Sequence, residues 1–75
     1  MFKTKDLPLA AVLKTKGIKM IGTEKGKRDT MFIFKGEEEC DKIKFKHYNG
    51  EVELNSLDLL NNYNTLKGLA LSNNG

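Results

Sequence analysis

The chain has 75 residues, 39% hydrophobic and 31% charged, with 13 basic and 10 acidic side chains and a formal net charge of +3. That length and composition describe one small globular domain, residues 1–75, with a thin core. No apolar run approaches the roughly 18 residues of a membrane span, and one cysteine, Cys40, allows no internal disulfide and suits a reducing, cytoplasmic setting. The mild positive charge is compatible with nucleic acid, an anionic small molecule or an acidic protein, and selects none of them.

In chain order, the first predicted element is a helix. Asp6 is placed to cap it, Pro8 falls in the first turn, and Leu9, Val12 and Leu13 form an apolar stripe beside Ala10 and Ala11. Gly17 is predicted at the left-handed C′ position, which puts Ile18 at C″ against Leu13 at C3.

Two strands follow, 18–23 and 30–35, joined by Glu24-Lys25-Gly26-Lys27-Arg28-Asp29. Gly26 is expected to take a positive φ in this hairpin. Lys25, Lys27 and Arg28 are candidate anion-binding residues. The commoner fate of such a loop is plain solvation, and Glu24 and Asp29 flank the cluster and offset two of its three charges. In the second strand Met31 and Ile33 point one way and Phe32 and Phe34 the other, so both faces need cover. The first and last helices could cover both faces within one monomer; if both sit on the same face, the other stays open, and Met31, Phe32 and Phe34 are candidate protein-contact residues for a homodimer or another protein partner.

Residues 37–46 are mostly fair helix formers, and Glu37, Glu38 and Glu39 suit a helix N-terminus. Yet Lys42, Lys44 and Lys46 alternate with Ile43 and Phe45, and Asn49-Gly50 is also a hairpin turn. As a strand this segment forms a lysine ladder suited to phosphates, and local alternation favours it. As a helix it sets Phe45 about 200° from Ile43 and the ladder dissolves.

A resemblance bears on that choice. Asp6-Leu7-Pro8-Leu9-Ala10-Ala11, Lys16-Gly17, Phe32-Ile33-Phe34, Glu37 to Glu39, His47-Tyr48-Asn49-Gly50-Glu51-Val52 and Leu66-Lys67 resemble a family of short uncharacterised proteins from Firmicutes and their phages. The resemblance covers nearly the whole chain. It implies that the acidic segment begins a helix and that the aromatic-Asn-Gly ends it. This chain departs from the pattern at Lys44 to Lys46. Helix is the reading taken, with Gly50 as its stop.

The last helix is predicted from Asn55 as N-cap, with Asp58 at N3 and Leu54 and Leu59 at N′ and N4. Leu59, Tyr63, Leu66 and Ala70 continue one face, Leu60 widens it, Gly68 ends or weakens the helix, and residues 72–75 read as a frayed polar tail. Val52 and Leu54 are candidates for a third strand.

The expected fold is therefore α+β: helix–β-hairpin–helix–helix with a two- or three-stranded antiparallel sheet. Cys40 and His47 lie seven residues apart, about two helical turns, too far for a nucleophile–base pair or shared zinc ligands. No phosphate-loop, dinucleotide or zinc-protease motif is present. The expectation is no enzyme, no cofactor, no metal and no membrane, but a small binding or assembly module. The resemblance makes it phage- or mobile-element-encoded, in a regulatory or anti-defence role. The alternative is nucleic-acid or anionic-nucleotide binding through the basic hairpin loop.

Overall fold

The structure, a computed structural model, describes residues 1–74, with side chains through Ser72. The elements are β1 (Phe2–Thr4), α1 (Leu7–Thr15), β2 (Met20–Lys25), β3 (Thr30–Phe34), α2 (Glu37–Tyr48) and α3 (Ser56–Asn74). The α+β expectation holds, with a three-stranded antiparallel sheet in the order β1-β3-β2.

The third strand is Phe2–Thr4, not Val52–Leu54. Phe2, Lys3 and Thr4 pair with Phe34, Ile33 and Phe32. Residues 51–55 pair with no strand and cross the helical side of the molecule instead.

Local chemistry sets the helix ends. Asp6 Oδ1 accepts from the Leu9 amide at 3.1 Å, the expected N-cap. At the other end of α1 the Gly17 amide donates to Lys14 and the Ile18 amide to Leu13, with Gly17 at φ 87°. That is the predicted Schellman closure. α2 ends the same way: Gly50, at φ 70°, donates to His47, and Glu51 donates to Lys46. Asn55 Oδ1 caps α3 by accepting from the Asp58 amide at 3.0 Å. Gly68 does not end this helix, which continues to Asn74. Residues 72–74 of the expected tail are helical backbone, and residue 75 lies outside the described residues.

All three helices lie on one face of the sheet. Phe32 and Phe34 are 1% and 0% exposed and share a core with Phe2, Leu9, Leu13, Cys40 and Leu66. Leu59, Tyr63 and Ala70 of α3 pack partly against it. Fully burying a side chain of this size contributes roughly 1.5–3 kcal/mol in transfer terms. In so small a domain each one is a large fraction of net stability.

The other face is closed differently. Ile33 is buried and Met31 half-buried. Lys3 of β1 and Glu24 of β2 meet at 2.8 Å, so their ion pair spans from one edge strand to the other across β3. A register shift between Met20 and Gly22 marks a bulge, and Ile21 within it stands 49% exposed. Phe32 and Phe34 are therefore not contact residues. The helices that were expected to leave an apolar face open chose the phenylalanine face and cover it fully. Met31 keeps partial exposure beside the charged strap.

Candidate functional site

Three surface features result from this packing. The first is a groove of about 470 Å³ between α1, the end of α2 and the start of α3. Pro8, Ala11 and Val12 line it from α1, His47 from α2, Val52 and Leu54 from the connection, and Ser56, Leu59, Leu60 and Tyr63 from α3. Two hydrogen bonds hold its frame. Tyr48 donates through its hydroxyl to Asp6 Oδ2 at 3.1 Å, and Asn62 Nδ2 donates to Thr15 Oγ1 at 2.9 Å.

The second feature is the outer face of α3. Leu57, Leu60 and Leu71 are 64%, 54% and 64% exposed. At 100° per residue they fall with Asn64 and Gly68 within a strip about 80° wide, flanking the face that carries Leu59, Tyr63, Leu66 and Ala70, with Leu60 at the shared edge where it also lines the groove. All five residues of the strip are exposed. This surface was missed when Leu60 was read as part of the buried face. The signal was present in the spacing: residues 57, 60, 64 and 71 follow i, i+3, i+7 and i+14, the seam of a packed helix.

The third is the hairpin tip. The Gly26 amide donates to the Asp29 carbonyl at 2.7 Å, closing a four-residue loop between paired Lys25 and Thr30. Gly26 does not adopt the expected positive φ. Its lack of a side chain matters for closeness instead: a Cβ there would lie 3.1 Å from the Asp29 carbonyl oxygen. Lys25, Lys27 and Arg28 are all exposed. The two acids expected to offset them are drawn elsewhere, Glu24 to Lys3 and Asp29 to Lys5 at 3.5 Å.

Cys40 and His47 stay apart, as their spacing on one helix requires. Cys40 is fully buried, and its thiol lies 3.8 Å from the Lys35 carbonyl. Burial raises the thiol pKa above its ordinary value, and the neighbouring carboxylates Glu39 and Asp41 add to that. His47 faces the groove, with its ring tilted against Tyr48 at 5.5 Å. Among the described residues no three His, Cys, Asp or Glu side chains converge as a metal site, and no helix is long and apolar enough to cross a membrane.

The alternating lysines are dispersed, as α2 dictates. Lys42 pairs loosely with Glu38 at 4.0 Å and Lys44 with Asp41 at 3.7 Å. The Lys44 ammonium stands 5.9 Å from the Phe2 ring and 5.3 Å from the Phe45 ring, and Phe45 is 62% exposed.

No curated protein and no solved structure matches the chain. Residues 1–72 match the family described as the domain of unknown function DUF5659. With nearly its whole length matched, the chain belongs to that family of uncharacterised domains.

Proposed function

We propose that the protein is a small, non-enzymatic contact module that pairs with a second copy of itself through the outer face of α3. The observation that carries this is one helix whose inner leucine, Leu66, is buried while Leu57, Leu60 and Leu71 lie open on one side, with Asn64 and Gly68 between them. Exposed leucines in a row mark a contact surface.

The strip positions are also symmetric about Asn64. Leu57 and Leu71 stand seven residues either side of Asn64, and Leu60 and Gly68 stand four either side. Two copies crossing antiparallel about Asn64 set Leu57 against the partner's Leu71. The Leu60 side chain then meets the space that Gly68 leaves. A two-fold interface needs such a self-complementary patch. A central asparagine paired with its own copy fixes register at some cost in stability.

A non-enzymatic role is supported by the position of Cys40, whose thiol is buried and seven residues from the one histidine. The cytoplasm suits a chain whose one cysteine is unpaired. The resemblance of the opening motif supports a phage- or mobile-element-encoded setting, where such a module serves regulation or evasion of host defence.

Asn64→Cys tests the arrangement. Under mild oxidation it should give a cross-linked dimer in high yield, while Asn61→Cys on the edge of the strip gives much less. Equal cross-linking at both positions would mean random collision and would reject the pairing.

A further inference from the structure

The formal charge of the chain is not spread evenly. Lys3, Lys5, Lys25, Lys27, Arg28, Glu24 and Asp29 sit together at the hairpin end, joined by the two ion pairs, and carry a net +3. The remaining eight bases and eight acids cancel. The whole excess of the protein is thus at one end, with Lys25, Lys27 and Arg28 in no ion pair among the described residues.

The shape is specific too. β1 reaches only to Thr4 opposite Phe32, whereas β2 and β3 continue through Glu24–Met31 and Lys25–Thr30 before the loop. The hairpin runs two ladder pairs past the last β1 pair, with Thr30 buried and Lys5 reaching back to Asp29 at 3.5 Å, so only the loop and Lys25 stand out at this end.

From this we infer that the hairpin tip binds the phosphate backbone of double-stranded nucleic acid, with Lys25, Lys27 and Arg28 as the phosphate ligands. Residues 24–29 include no apolar side chain, so the tip has nothing to bury in a membrane interface and no aromatic anchor for a protein pocket. It also offers no ring on which single-stranded bases would stack. What remains is charge on a narrow ribbon, which reads phosphates and no sequence. The surface is separate from the leucine strip of α3, so either reading can fail alone.

The test is fluorescence anisotropy of a labelled random-sequence DNA duplex with the full chain across a salt series. Three phosphate contacts predict that log affinity falls against log salt with a slope of about −2.7. The variant Lys25→Gln/Lys27→Gln/Arg28→Gln should lose at least tenfold in affinity at low salt and flatten the slope. The charge-matched variant Lys19→Gln/Lys46→Gln/Lys67→Gln should stay within about threefold of the parent, because those exposed lysines lie outside the charged end. Equal losses in the two variants would show an effect of net charge alone and overturn the assignment. So would displacement of the duplex by polyglutamate or by anionic lipid vesicles at equal charge concentration.

Discussion

Asp6 and Tyr48, 42 residues apart, are joined through a single carboxylate. Asp6 Oδ1 caps α1 at the Leu9 amide, and Oδ2 accepts from the Tyr48 hydroxyl at 3.1 Å. One side chain therefore starts the first helix and anchors the end of the second. Asp6→Ala should cost about 1–2 kcal/mol, the worth of a good N-cap. Tyr48→Phe removes one exposed bond and should cost less, about 0.5–1 kcal/mol. Urea titrations of the three proteins at neutral pH measure both.

The same contact has a pH signature. The phenol pKa of Tyr48 is raised above 10.0 by desolvation, with the hydrogen bond to Asp6 and its negative charge adding to the shift. The folded state then holds the phenolic proton to higher pH than the unfolded chain. Its contribution is fully present below the unfolded pKa and is lost as pH rises through the folded one. Tyr48→Phe should abolish that alkaline component, so the stability gap between parent and variant should narrow above about pH 10. A gap that widens there contradicts the contact.

Phe34 is fully enclosed, so Phe34→Ala should cost about 3–5 kcal/mol. For so thin a core that is enough to unfold most of the population, and circular dichroism would show the helices lost. Phe34→Asp should likewise unfold the monomer, not split a dimer.

Cys40 should react slowly with a thiol-specific disulfide reagent in the folded protein and rapidly in denaturant, since its thiol is both buried and held protonated. A folded-state rate near that of free cysteine at the same pH would contradict its placement.

Gly68 separates the monomer from the dimer. It lies inside α3 with nothing within 4 Å of where a Cβ would project. Gly68→Ala should therefore stabilise the isolated helix by up to about 1 kcal/mol. If Leu60 of a second copy fills that space, the same substitution should weaken self-association. Raised thermal stability with reduced association, read by a melt and by light scattering, is the expected pair of results.

How far the sequence spoke depended on how local each cause was. Asp6, Gly17, Gly50 and Asn55 act within a few residues of themselves, so the helix ends they set were legible. Within α2 the strand-like alternation of Lys42 to Lys46 gave way to a helix closed at Gly50, and the helix leaves Phe45 62% exposed, forgoing its burial, with the Lys44 ammonium 5.3 Å from its ring. β1 was missed because Phe2-Lys3-Thr4 is only three residues and gains its meaning from distant Phe34. Val52 and Leu54 show the same alternation and form no strand, being taken up as the wall of the groove. Phe32 and Phe34 are buried, and so not open to a partner, for a tertiary reason. Periodicity marks two apolar faces on β3 but does not say which one three helices will cover, nor that a lysine and a glutamate on opposite edges will close the other. For the tip, Lys25, Lys27 and Arg28 were visible, while the diversion of Glu24 and Asp29 to β1 required the fold.

Sedimentation equilibrium of the unaltered chain over a dilution series, alongside Leu57→Asp/Leu71→Asp, tests the pairing most directly. A chain of 8.5 kDa should show twice that mass at high micromolar concentration and dissociate on dilution. The double variant should stay folded and sediment as one chain throughout. A single-chain mass for the unaltered protein at the highest concentration would contradict the proposed function.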